Sequence, residues 1–105
     1  MTTETSTSEA PASTPENIDR AVQRVRSEQR RATQLLAGGP KCRRLSALYE
    51  HEARLWTLLT LHTPRGIYQH AAIEAECAAR ARAREYAELA RQWAAHTDAR
   101  EEHAP

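Results

Sequence analysis

Two stop signals divide this 105-residue chain, and its fold must be built from the three segments that they leave. Gly38-Gly39-Pro40 closes one periodic apolar segment and Thr63-Pro64-Arg65-Gly66 closes the next. Pro lacks the backbone N–H a helix interior needs, and Gly accepts turn geometries closed to other residues. Inside each segment the apolar positions recur every three or four residues, the period of a helix, and no stretch alternates as a strand would. The expected fold is all-α. Short connections force neighbouring helices antiparallel, which gives an up-down-up three-helix bundle with a long third helix.

The first helix is predicted over 14–37. Thr14 can cap it, Pro15 suits its first position, and Glu16 and Asp19 complement the positive end of its dipole. Its apolar stripe runs Ile18, Val22, Val25, Ala32, Leu36, with Gln29 filling the gap. The second helix is predicted over 41–62, where Leu45, Leu48, Tyr49, Leu55, Trp56 and Leu59 share a face that also holds Glu52. The third is predicted over 67–97, with Tyr68, Ala72, Ala75, Ala79, Ala83, Tyr86, Ala90 and Trp93 on one side. Residues 1–13 offer nothing to bury and read as a disordered tail, and the charged residues 98–105 read as a frayed end.

Composition matters because it thins the core. Of the 40% hydrophobic residues, 20 are Ala, nine are Leu, and Phe is absent. A bundle of this make-up depends on close helix contacts at Ala and on a few large side chains. Exposed apolar positions such as Leu58, Leu61, Ile73 and Cys77 therefore suggest self-association or a partner.

If the first hairpin turns at Gly38–Pro40, facing residues have numbers summing to about 81. That register pairs Leu36 with Leu45, Ala32 with Tyr49, Val25 with Trp56 and Val22 with Leu59, and it sets Gln29 against Glu52. The two polar interruptions of the apolar seams then satisfy one another and lock the register, as a polar pair does in a coiled-coil core.

Several function classes find no support. Glu50-His51-Glu52 is contiguous, so its side chains diverge, and the paired Glu-x-x-His motifs of metal-binding bundles are missing. Cys42 and Cys77 fall about 16 Å apart along an antiparallel helix pair, too far for a disulfide. No nucleophile–base arrangement and no acid pair on one face are present, and three Gly leave little loop from which to build a pocket. The chain is expected to be neither an enzyme nor a metal or cofactor carrier. It shows no signal-peptide pattern and no run near the ~18 apolar residues of a membrane span, so a cytoplasmic protein without membrane contact is expected.

The net charge is only +1, but its distribution is uneven. Between residues 15 and 44 lie eight basic groups, Arg20, Arg24, Arg26, Arg30, Arg31, Lys41, Arg43 and Arg44, against three acids. Arg20, Arg24 and Arg31 fall opposite the apolar stripe of the first helix, with Arg26 and Arg30 on its flank. Arg binds phosphate bidentately, so these eight are the candidate nucleic-acid contacts. On the third helix Ile73, Cys77, Arg80 and Arg84 form a candidate interaction surface. Glu76 with Arg80 and Arg84 with Glu88 are spaced for intrahelical pairs.

The Ser/Thr-rich start followed by Arg/Ala-rich helices, as in AECAARARAREYAELARQW, resembles small accessory regulators of actinobacterial plasmids and integrative elements. The resemblance implies a regulator of replication or transcription with duplex DNA, or a protein bound to DNA, as its partner. A helical adaptor or inhibitor with no nucleic-acid contact is the alternative.

Overall fold

A computed structural model describes residues 14–102 of the chain. They form three helices, α1 (Pro15–Ala32), α2 (Gly39–Leu61) and α3 (Ile67–Glu102). No strand occurs among the described residues, and the expected tail 1–13 lies outside them. No described helix is long and apolar enough to cross a membrane.

α1 starts where its cap dictates. Thr14 holds extended backbone angles, its Oγ1 accepts from the Asn17 backbone N–H at 3.3 Å and from Asn17 Nδ2 at 2.8 Å, and Pro15 follows at the first helical position. Its end departs from the prediction. The Thr33 hydroxyl donates to the Arg30 carbonyl at 2.6 Å, and 3.1 Å turns from Gln34 to Arg31 and from Leu35 to Ala32 uncoil the chain. The stripe therefore stops at Ala32. Leu36 is 92% exposed, and the expected Leu36–Leu45 contact does not form. The physical reason lies in the next helix. α2 begins at Gly39, earlier than expected, with Gly38 as its cap at φ +154°, a value L side chains rarely adopt. The connection must fill the gap ahead of it, and no element extends far enough to cover Leu36.

The remainder of the α1–α2 seam forms as the register predicts. Ile18, Val22, Val25 and Ala32 pack with Leu45, Leu48 and Leu55 in one core, which Tyr49, Trp56, Leu59 and Tyr86 flank. α3 runs antiparallel to α2. Ser46 Oγ donates to the Ala83 carbonyl at 2.9 Å, and Gln69 Nε2 donates to the Thr60 carbonyl at 3.5 Å. The contact is close because the facing positions are small: Ala72, Ala79, Ala83 and Ala90 are buried against α2, beside Cys42 and Ala53. Tyr49 and Tyr86 stack across it, 5.8 Å apart. α2 is thus the central element, packed by α1 on one side and α3 on the other.

With 36 residues α3 extends ~54 Å and overhangs both partners. It continues through Glu102, past the Thr97 expected as its end, and residues 103–105 lie outside the described part. Every side chain from Arg91 to Glu101 is exposed. Tyr68, expected on the buried face, is 79% exposed because it sits level with the end of α2 and has nothing to pack on. Trp93 is partly covered, its Cβ lying where α2 begins at Gly39.

Candidate functional site

Gln29 and Glu52 do meet. Gln29 Nε2 donates to Glu52 Oε1 at 2.8 Å, and the two residues are only 6% and 5% exposed. The other carboxylate oxygen is also taken. Glu52 Oε2 accepts from Arg26 Nε at 3.2 Å and from Trp56 Nε1 at 2.8 Å, and the Arg26 guanidinium lies over the Trp56 ring, 5.5 Å from its centroid. Three donors from two helices therefore converge on one buried carboxylate. Helical periodicity brings them there: Trp56 is one turn past Glu52, and Arg26 and Gln29 are one turn apart on α1. Among the described buried side chains no polar atom lacks a partner. This is a core network, and Arg26 reaches into it from the flank of α1 that it shares with Arg30.

The other candidate cations divide between the two flanks of α1 instead of forming one patch. Arg24 and Arg31 lie on one flank with Ala21 and Glu28. There they line adjoining hollows with Arg44, Ala47, His51 and Arg54, which follow the same three-four-three spacing along α2. Arg44 Nη2 bonds Glu28 Oε1 at 2.8 Å, and Arg54 reaches Glu50 at 3.6 Å. Arg24 and Arg31 make no ion pair among the described residues. Arg20 bonds Asn17 Oδ1 at 3.3 Å near the start of α1, Lys41 is half-buried, and Arg43 turns toward α3 beside Glu50, Ala87 and Ala90.

Arg30 takes the opposite flank with Arg26 and Thr33. It faces α3 across a groove of about 420 Å³ whose far wall carries Ala75, Ala78, Ala79 and Arg82. Arg82 was not singled out by the sequence. The available signal was an Arg beside the Ala75/Ala78/Ala79 cluster, which marks a small-residue helix face edged by a charge. Arg54 and His51 were missed in the same way, because they share a face with Arg44 only once α2 is built.

On α3 the four candidate surface residues differ in their surroundings. Ile73, Cys77 and Arg84 are exposed, whereas Arg80 bonds Glu76 at 3.0 Å and reaches Thr57 Oγ1 on α2 at 3.4 Å. Glu88 pairs with Arg91 and not with Arg84, and that guanidinium lowers its carboxyl below the usual value. Cys42 is buried and Cys77 exposed, both as thiols. Among the described residues no three His, Cys, Asp or Glu side chains converge in a way that could hold a metal ion. Comparison with family models, curated proteins and solved structures finds no match to this chain.

Proposed function

We propose that this chain is a non-enzymatic regulator that acts on duplex DNA, holding the phosphate backbone on the outer face of the α1–α2 hairpin. The observation that carries the reading is the gathering of Arg24, Arg31, Arg44 and Arg54, with His51, around adjoining hollows on one side of two antiparallel helices. Glu28 pairs with Arg44 and Glu50 with Arg54, which leaves Arg24 and Arg31 without a carboxylate partner among the described residues. A guanidinium without a protein partner keeps its bidentate fork for a phosphate. Contacts of this type position a protein and do not read sequence, so target choice rests with a bound partner or with DNA shape. The resemblance to small accessory regulators of mobile elements adds replication or transcription control as the setting for this reading.

The test is a mobility-shift assay across salt with DNA flanking the gene. In the triple variant Arg24→Gln, Arg31→Gln, Arg54→Gln, affinity should fall, and the slope of log K against log salt should flatten by about 0.9 for every phosphate that is no longer neutralised. All three side chains are exposed, so the fold should survive. No binding by the wild type at low salt, or equal binding by the variant, refutes the proposal.

A second reading has its own observation. Leu89 and Trp93 stay exposed one turn apart on α3, which favours an adaptor whose partner, or second copy, packs there. Binding through that face would depend weakly on salt.

A further inference from the structure

We infer that the groove between α1 and α3 is a binding site for a phosphate dianion, free or carried as a monoester on a small molecule. The groove lies on the flank of α1 away from the proposed DNA face and stands independently of that reading.

The groove holds three guanidinium groups, Arg26 and Arg30 from α1 and Arg82 from α3, against a single carboxylate, Glu52. That carboxylate is already committed. Its two oxygens accept from Gln29, Arg26 and Trp56, and Arg26 offsets its charge. Arg30 and Arg82 both line the groove, one from α1 and one from α3, and among the described residues neither has a carboxylate partner. Two unneutralised cations held around one hollow of about 420 Å³ repel each other, and an anion between them removes that cost. On the α3 wall, Ala75, Ala78 and Ala79 carry only small side chains, which leaves room in the groove for a ligand.

The shape of the clamp selects the anion. A carboxylate is planar, carries a single charge and offers only one edge for a bidentate pair. A phosphate monoester carries three oxygens pointing in different directions and nearly two charges at neutral pH, so walls on either side can each take a bidentate pair. The Tyr49 ring is stacked on Tyr86, and Arg82 lies over it at 5.7 Å. The ring thereby steadies the guanidinium at the groove. Binding has a structural consequence. α1 and α3 each pack on α2 and share almost no interface, so a ligand gripped from both walls ties together helices that the core leaves apart.

The experiment is isothermal titration of the full chain with inorganic phosphate, a nucleoside 5′-monophosphate and, as the planar comparison, benzoate, all at one ionic strength. Wild type should bind at least one phosphate probe saturably at millimolar concentration or below, and bind benzoate at least tenfold more weakly. Saturation by the nucleotide alone would identify the monoester as the source, and saturation by both would identify the phosphate group itself. Arg30→Gln, an exposed site that leaves the core untouched, and Arg82→Gln should each weaken binding about tenfold or more, the usual effect of removing a charge-assisted hydrogen bond. Arg24→Gln with Arg31→Gln, on the other flank, should leave it unchanged. No saturable heat with either phosphate probe, equal affinity for benzoate, or equal weakening from both flanks overturns the inference. Helical circular dichroism of each variant separates a binding defect from a folding defect.

Discussion

Removing the Glu52 side chain tests the centre of the fold. Glu52→Ala withdraws the acceptor from three donors at once, Gln29 Nε2, Arg26 Nε and Trp56 Nε1. The three penalties differ in size because the donors differ in burial. Gln29 is 6% exposed and keeps only a 3.5 Å approach to the Leu48 carbonyl, so it carries most of a buried-donor penalty, about 1–3 kcal/mol. The part-buried Trp56 indole N–H adds about 1 kcal/mol. Arg26, with 43% of its side chain exposed, turns to water at little cost. The sum is about 2–4 kcal/mol, a large share of the roughly 5 kcal/mol at the low end for small domains. Urea denaturation followed by circular dichroism would measure it, and a double-mutant cycle with Gln29→Ala should return a coupling of about 1 kcal/mol or more. Glu52→Leu should also destabilise, because apolar filling leaves the Gln29 and Trp56 donors unmet. A Glu52→Ala variant within about 0.5 kcal/mol of wild type, or a cycle whose single effects simply add, would refute the reasoning.

Further expectations are more local. Gly38→Ala and Gly66→Ala, at φ +154° and +138°, should each cost about 1–2 kcal/mol in thermal unfolding through backbone strain alone, since the added Cβ of either meets no close atom. Truncation after Thr97 should leave the melting temperature within a few degrees, because the described side chains it removes are all exposed. In an NMR titration Glu88 should lose its proton at lower pH than an ordinary glutamate, and Arg91→Gln should return it toward the usual value. The depressed carboxyl favours the folded state above its unfolded pKa, and that contribution disappears as pH falls through the folded one.

The helical character of the described residues, the three helices that they form and the α1–α2 register were legible in the sequence because the interactions behind them are local or repeat along one face. Thr14 and Pro15 set the start of α1 without help from the rest of the chain, and Gly38 and Gly66 mark the turns by backbone angles that other residues resist. The pairing of Gln29 with Glu52 followed from periodicity, since two polar breaks in facing apolar stripes can meet at only one register. Packing decided the remainder. Leu36 and Tyr68 carry the right period for a core and lie in the open, because burial needs a facing element and the hairpins end before either residue. Periodicity assigns a residue to a face of its own helix and is silent about which helix stands opposite. For that reason the eight basic residues read as one cluster along the chain, yet Arg24 and Arg31 border the outer hairpin face while Arg26 enters the core network. Arg30 and Arg82, 52 positions apart in the numbering, share a groove only because α2 sets α1 and α3 on its two sides.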